Sequence, residues 1–172
     1  SNPAQVESLL EGLDIRMDYG EDGVQRMYLS GRDVTEAIRE NSVSALASQV
    51  AALPAVRDFL LDFQRRQARE RDVVMDGRDI GTVVLPRAGV KIFLTATPEA
   101  RATRRWKEYQ AKGIDTPYEE VLADVKQRDY QDTHRAAAPL KQAEDAVLLD
   151  TSDLNFEQSL AAMKKIIAEK VN

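Results

Sequence analysis

Charged side chains follow a short apolar run near the middle of the chain. Residues 73–75 are apolar and predict a buried strand, and Asp76, Arg78 and Asp79 come directly after it. In an open α/β sheet, ligands bind at the carboxyl ends of the strands. We therefore expect these three side chains at a binding site. A surface turn with solvated charges is the alternative, and this segment alone does not decide between the two.

A second set of charges has the spacing of a helix face. Arg128, Asp132 and Arg135 stand at positions i, i+4 and i+7 and so share one face of a predicted helix. A further arginine face consists of Arg101, Arg104 and Arg105. Arginine binds phosphate with two parallel hydrogen bonds, and such cations neutralise charge during phosphoryl transfer. The alternative is an ion pair within one helix together with solvated arginines, which is a common and weak arrangement.

Composition excludes several classes of protein and site. A length of 172 residues with 43% hydrophobic and 31% charged residues fits one folded domain and excludes a disordered chain. The net charge of −5 disfavours a nucleic-acid partner. The absence of cysteine excludes disulfides and thiolate sites, and a single histidine excludes a multi-histidine metal site. We see no apolar run of membrane length and no signal peptide, so we expect a cytoplasmic location without membrane contact.

The first 70 residues predict helices around a β-hairpin. Alternating apolar residues favour strands at Ile15–Tyr19 and Val24–Leu29, with the loop Gly20–Gly23 between them. The predicted helices cover Pro3–Leu13, a short turn at Asp33–Arg39, a segment capped by Asn41 or Ser42 that ends at Ala52, and Ala55–Glu70.

Strands and helices alternate in the second part of the chain, which predicts an α/β fold with a parallel sheet. The predicted strands are the short apolar runs Val73–Met75, Val90–Leu94 and Val147–Leu149. The predicted helix starts are Thr97-Pro98, a capping box between Thr116 and Glu119, and the pair Asn155 and Gln158.

Several segments resemble the bacterial-type cytidylate kinases, which are P-loop nucleoside monophosphate kinases. The matching segments are Leu29–Thr35, Ser48–Arg57, Met75–Pro86, Val90–Ala96, Glu99–Arg105, Gln127–Asp129, Asp132–Arg135, Ala138–Leu140 and Leu149–Ser152. They occur in order over nearly the whole chain, which makes the resemblance more specific than any one motif.

The resemblance implies a fold and a division of the chain. We expect residues 71–172 to form a three-layer P-loop NTPase-like core with a parallel sheet, in which about residues 104–135 are a helical lid. Residues 1–70 would form a monophosphate-binding region of helices and a hairpin, and the two parts would act as one functional unit. The resemblance also implies a monomer when the protein has its full length.

The resemblance further implies transfer of the γ-phosphate of ATP, with Mg²⁺, to CMP or dCMP. Arg128, Asp132 and Arg135 match the family residues near the nucleotide and the transferred phosphate, which we take as the catalytic set. Arg104 and Arg105 match basic residues at the start of the lid that face the ATP phosphates.

Other matching positions imply substrate binding. Ser48, Arg57 and Asp79 correspond to residues that hold the cytosine, sugar or phosphate of the nucleotide, and Arg78 beside them is expected to contact phosphate. No metal ligand is expected from this chain except Asp76, acting through water.

The sequence departs from the family in one motif. No Gly-Lys pair occurs, so the phosphate-binding loop Gly-x-x-x-x-Gly-Lys-Ser/Thr is not among the 172 residues, and neither is the strand expected beside it. We therefore expect these residues alone to bind ATP poorly and to turn over negligibly. Two other functions stay open: a CMP-binding module without kinase activity, and an interaction domain with solvated arginines.

Overall fold

The computed structural model describes residues 3–40, 43, 46–47, 50–51 and 53–171. The chain forms two compact units, Ser1–Val73 and Val74–Asn172. Both α-helices and β-strands occur, and the sheet of the second unit is parallel. The predicted α/β class with a parallel sheet is therefore confirmed.

The first unit contains the predicted β-hairpin. Strands β1 (Ile15–Tyr19) and β2 (Gln25–Leu29) pair antiparallel in the register Ile15↔Leu29. Gly23 has a φ of 73°, which suits the tight turn between them. A short strand that the sequence pattern did not predict, β3 (Arg32–Asp33), pairs with the end of β2.

Two of the helical segments predicted for the first unit are shorter in the structure, and a third starts one residue earlier than predicted. Helix α1 covers Pro3–Leu10, and only a 3₁₀ turn at Ala37–Arg39 forms within the segment predicted as a helical turn. Helix α2 covers Pro54–Glu70 and packs against α1; Pro54 occupies its first turn, where a missing N–H costs nothing. The predicted capping residues Asn41 and Ser42, and the predicted helix end at Ala52, lie outside the described residues.

The sheet of the second unit has two parallel strands among the described residues. Strands β4 (Ile92–Thr95) and β5 (Val147–Asp150) pair in the register Ile92↔Val147. Lys91, just before β4, pairs with Asp145 just before β5, with 2.8 Å between Nζ and Oδ2. This pair holds the amino ends of the two strands together.

The prediction of a strand at Val73–Met75 is wrong. This segment joins no β-ladder in the described part of the chain, and the side chain of Val74 is 96% exposed. Apolar character alone does not make a strand, because a strand is stabilised by hydrogen bonds to a neighbouring backbone. No neighbouring backbone among the described residues supplies them here.

Two packed helices follow β4. Helix α3 covers Pro98–Ala111, and the Thr97 hydroxyl accepts a hydrogen bond from Ala100 N at 3.2 Å, which confirms the predicted cap. Helix α4 covers Tyr118–His134. The capping box predicted for its start is absent, because Pro117 occupies the cap position and no side chain caps this helix.

The core between α3 and α4 is small and apolar. Ala102, Val121 and Val125 are buried, and Trp106 meets Tyr118 edge-on with 6.5 Å between ring centres. The last helix, α5, covers Phe156–Val171. Asn155 and Gln158 bond reciprocally before it, at 2.8 and 2.9 Å between side-chain oxygen and backbone nitrogen, which confirms that helix start.

We expect Val121→Ala to lower the free energy of unfolding by about 2 kcal/mol, because it removes two buried methyl groups and leaves a cavity. Val121 is only 1% exposed, whereas Val171 near the chain end is 73% exposed. Val171→Ala is therefore the matched control, with an expected change below about 0.5 kcal/mol. Urea unfolding measures both; equal effects would contradict the assigned core.

Candidate functional site

The charged loop after residue 75 leads into a turn of π-helix at Ile80–Val84. The carbonyl of Asp79 accepts hydrogen bonds from Val83 N at 2.8 Å and from Val84 N at 3.2 Å. A Cβ at Gly77 would lie 2.8 Å from Ile80 Cγ1, so this position accepts only glycine without rearrangement. Single π-turns are rare and occur often at functional sites. The turn fixes the backbone from which Arg78 and Asp79 extend.

Two ion pairs join this loop to the end of α4. Arg78 Nε donates to Asp132 Oδ2 at 2.8 Å. In the opposite sense, Arg135 Nη2 lies 3.8 Å from Asp79 Oδ1. The side chains of Asp79 and Asp132 are only 14% and 18% exposed. The structure therefore brings together four of the predicted site residues, with the positive and negative charges in alternation.

Arg135 donates a hydrogen bond from one guanidinium nitrogen, whereas another nitrogen has no acceptor among the described residues. Its Nε donates to the carbonyl of Ala138 at 2.7 Å, and Ala138 has the unusual φ of 48°. Its Nη2 is buried and makes no hydrogen bond within the described part of the chain, because 3.8 Å to Asp79 is too long for one. A buried donor without a partner is costly, so an acceptor placed here would bind favourably.

The side chains of Arg128 and Asp76 are exposed to solvent. Neither forms a hydrogen bond or an ion pair with any residue in the described ranges. Arg128 nonetheless acts on its neighbour Asp129, because its charge helps to lower the pKa of that carboxyl. Both charges are therefore available to a ligand.

Arg104 bonds to the chain that follows β5, whereas Arg105 bonds within its own helix. Arg104 donates to the hydroxyl and carbonyl of Thr151 and, at 3.2 Å, to the carbonyl of Leu154. Arg105 Nε donates to the Tyr109 hydroxyl at 2.9 Å. Neither arginine contacts the group formed by the loop and the end of α4, and their role in a lid stays a prediction.

The two remaining predicted residues belong to the first part of the chain. Arg57 is on α2, where Nη1 lies 3.5 Å from the carbonyl of Ala51. Ser48 lies outside the described residues. Their roles in substrate binding stay predictions.

Sequence reasoning missed the ion pair between Arg101 and Asp129, in which two nitrogens of the arginine contact both carboxylate oxygens. Arg101 Nη1 donates to Asp129 Oδ1 at 2.8 Å, Nη2 donates to Oδ2, and Nε donates to the carbonyl of Ala96 at 3.1 Å. The bonds from Arg101 lower the pKa of Asp129 against the opposing effect of burial, with help from Arg78 and Arg128. The available signal was spacing, because Asp129 stands eight residues after Val121 on the inward face of α4.

No group of three or more His, Cys, Asp or Glu side chains among the described residues is placed to hold a metal ion. None of the described helices has the length and apolar character needed to cross a membrane.

Comparison with known proteins decides the family. The model of the cytidylate kinase family matches residues 1–169. The chain belongs to the cytidylate kinase family. The cytidylate kinase of Carboxydothermus hydrogenoformans is 50% identical over 165 residues, which are 96% of this chain and 74% of the relative. A cytidylate kinase of Streptococcus pneumoniae is 48% identical over 163 residues, which are 93% of this chain and 73% of the relative. The resemblance to these kinases is thereby confirmed.

The Arg101–Asp129 pair should make stability depend on acid pH. Because Arg101 lowers the pKa of Asp129, its stabilisation is present above the carboxyl's unfolded pKa and is lost as pH falls through the lower folded pKa. We expect Asp129→Asn to lower the free energy of unfolding by about 1 kcal/mol at pH 7, since both partners are partly exposed. Below about pH 4 this difference should shrink as the pH falls. Urea unfolding of both chains between pH 7 and pH 3 measures this difference. A constant difference would contradict the ion pair.

Proposed function

We propose that this protein transfers the terminal phosphoryl group of ATP to CMP or dCMP and so forms CDP or dCDP. Membership of the cytidylate kinase family supports the reaction class. The observation that carries the proposal for the site is the pair of arginines, Arg78 and Arg135, that are anchored at Nε and alternate with two carboxylates.

Anchoring at Nε leaves the terminal nitrogens of both arginines without a hydrogen bond among the described residues. Asp132 accepts from Nε of Arg78, and the Ala138 carbonyl accepts from Nε of Arg135. The two terminal nitrogens of a guanidinium are the pair that matches two oxygens of a phosphate. We therefore assign Arg78 and Arg135 to the phosphate groups of the nucleotides.

The carboxylates of Asp79 and Asp132 offset the repulsion between Arg78 and Arg135 before a ligand binds. We also propose that Asp79 helps to recognise the base. Cytosine presents both a donor and an acceptor, and a site that pairs them rejects other bases by leaving its own polar groups unpaired. The largely buried carboxylate of Asp79 fits a donor of the nucleoside. Ser48 and Arg57 remain predicted substrate residues.

Catalysis would rest on position and charge. In phosphoryl transfer the protein needs to align the reacting groups and neutralise charge on the moving group, with little covalent chemistry of its own. We assign to that group the exposed Arg128, which has no ion pair with any described residue. Arg104 and Arg105 would act from the lid on the ATP phosphates.

We propose Mg²⁺ as the cofactor that accompanies ATP. Magnesium usually keeps several waters and binds through one or two carboxylates together with the substrate phosphates. Asp76 fits such a role, because it is exposed and has no ion pair or hydrogen bond among the described residues. Asp76 would hold the hydrated ion through water, and the bound ion would neutralise phosphate charge.

The absence of a Gly-Lys pair limits what these 172 residues do by themselves. The backbone N–H groups of a phosphate-binding loop surround the ATP phosphates, and separate arginines do not replace them. We infer that the 172 residues alone bind CMP without measurable turnover. A CMP-binding module that is never a kinase, or an interaction domain, is the alternative, and the two following experiments separate these possibilities.

CMP should stabilise the folded chain. At a hundredfold excess of ligand over its dissociation constant, binding adds about 2.7 kcal/mol to the free energy of unfolding. UMP and AMP should add less, because they leave polar groups of the site unpaired. Thermal unfolding with each nucleotide measures the order. Equal shifts for the three nucleotides would contradict base recognition, and no shift would favour the interaction domain.

A fusion that adds the phosphate-binding loop segment of a relative should phosphorylate CMP, whereas the 172 residues alone should release no CMP-dependent ADP. Within the fusion, Arg128→Ala should lower kcat roughly 10²- to 10³-fold, because it removes a cation from the transferred group. Arg87→Ala, which removes an exposed arginine outside the proposed site, is the matched control and should keep kcat. Ordinary turnover by the 172 residues alone would refute the proposed need for the loop.

A further inference from the structure

We propose that Asp129 is a positioning residue, which acts with Arg101 to fix the rotation of α4 and thereby the direction in which Arg128 and Asp132 face. The inference rests on the proposed function, because its importance depends on nucleotide binding by that face of α4. It assigns to Asp129 a role distinct from substrate contact.

Asp129 lies in line with the two buried valines of α4. Val121, Val125 and Asp129 follow one another at intervals of four residues on α4, so they form one stripe. Val121 and Val125 are 1% and 7% exposed and pack on α3. Asp129 continues this stripe as a half-buried carboxylate. A carboxylate at the edge of an apolar interface is costly unless it is paired, so its partner decides how this end of α4 packs.

The contact between Arg101 and Asp129 restrains the orientation of both side chains. Arg101 meets both oxygens of Asp129, and two parallel bonds fix an angle as well as a distance. The third bond of Arg101, from Nε to the carbonyl of Ala96, reaches the residue that directly follows β4. One side chain therefore connects the last turns of α4 to the carboxyl end of a sheet strand.

The effect on the site follows from helix geometry. Arg128 precedes Asp129 directly, and Asp132 stands one turn later. A helix with its side chains has a radius of roughly 5 Å, so a rotation of about 20° moves its surface groups by about 2 Å. Asp132 Oδ2 lies 2.8 Å from Arg78 Nε, and a shift of that size would break this bond. Misplacement by about 1 Å is enough to lower a rate a hundredfold.

Asp129 acts through α4, since its own oxygens are occupied by Arg101. Its charge also offsets the surrounding cations, because Arg78 and Arg128 both favour its ionised form. Removal of the carboxylate would release Arg101 and leave its positive charge uncompensated beside the other arginines. Both effects would disturb the orientation of Arg128.

A second ion pair between the same helices provides a matched control. Lys126 Nζ on α4 lies 3.1 Å from Glu99 Oε1 on α3, and both side chains are more than half exposed. This pair has one bond, and it lies outside the proposed site. Lys126→Met therefore removes an interhelical charge pair without the angular restraint that we assign to Asp129.

The experiment is calorimetric titration of the 172-residue chain with CMP, at a temperature where circular dichroism shows each variant folded. Stoichiometry reports the fraction of competent protein, and the dissociation constant reports the geometry of the site. We expect Asp129→Asn and Arg101→Lys to weaken CMP binding about tenfold at unchanged stoichiometry, because a rotated α4 would break the bond from Asp132 that orients Arg78, which we assign to the nucleotide phosphates. Asp129→Glu, which keeps the charge, should restore part of the affinity, and Lys126→Met should stay within twofold of the wild type.

Each other outcome has a distinct meaning. A fall in stoichiometry with an unchanged dissociation constant would show a purely structural role and overturn the inference, as would an unchanged affinity in folded variants. Equal weakening by Lys126→Met would also overturn it. A wild-type chain that does not bind CMP would overturn the proposed function and this inference with it. If Asp129→Asn does not fold, Arg101→Lys and Asp129→Glu carry the test.

Discussion

Anchoring of arginine at Nε is the interaction on which the second unit depends. In Arg78, Arg101 and Arg135 this nitrogen donates to an acceptor of the protein, and two of the three acceptors are backbone carbonyls. A guanidinium has five N–H donors in one plane, so one bond at Nε fixes its direction and leaves the opposite edge for another partner. One side-chain type thus serves both folding and the proposed recognition of phosphate.

The backbone carbonyls at the ends of the two parallel strands explain why arginine is needed there. Where the chain leaves a sheet, its backbone N–H and C=O groups no longer have partners in a neighbouring strand. When such groups are buried, they need other hydrogen-bond partners. Arg101 satisfies the carbonyl of Ala96 after β4, and Arg104 satisfies that of Thr151 after β5. Both arginines come from α3, so this helix is bound to both strand ends. The same end of the sheet is where ligands bind in open α/β folds.

Carboxylates make this concentration of cations tolerable. Asp79, Asp129 and Asp132 each pair with an arginine from a different segment of the chain. Most of these groups keep some exposure to solvent, so each pair contributes little to stability by itself. Their larger effect is on direction, because an arginine held by a carboxylate has fewer orientations to lose when a ligand binds. Arg128 is the exception, because it has no ion pair within the described ranges, and its exposed side chain fits a group that meets charge only during the reaction.

The sequence by itself determined the features that depend on neighbouring residues. The hairpin turn at Gly20–Gly23, the cap at Thr97 and the reciprocal bonds of Asn155 and Gln158 are local, because each partner lies within a few residues. The motifs that identify the cytidylate kinase family are also written in the order of the residues.

Only the tertiary structure decided which distant groups meet. The segment at Val73–Met75 is as apolar as a strand, yet it joins no ladder in the described part of the chain, because pairing requires a second backbone. Arg101 and Asp129 are 28 residues apart, and Arg78 and Asp132 are 54 apart. Helical spacing correctly predicted that Arg128 and Asp132 share a face, but the packing of α4 on α3 decides where that face points. The prediction that Arg135 belongs to the same helix face is wrong, because α4 ends at His134 and the backbone of Arg135 is extended. The spacing of charged residues identifies candidate site residues, and the packing of the apolar stripe of α4 on α3 determines which of them form ion pairs.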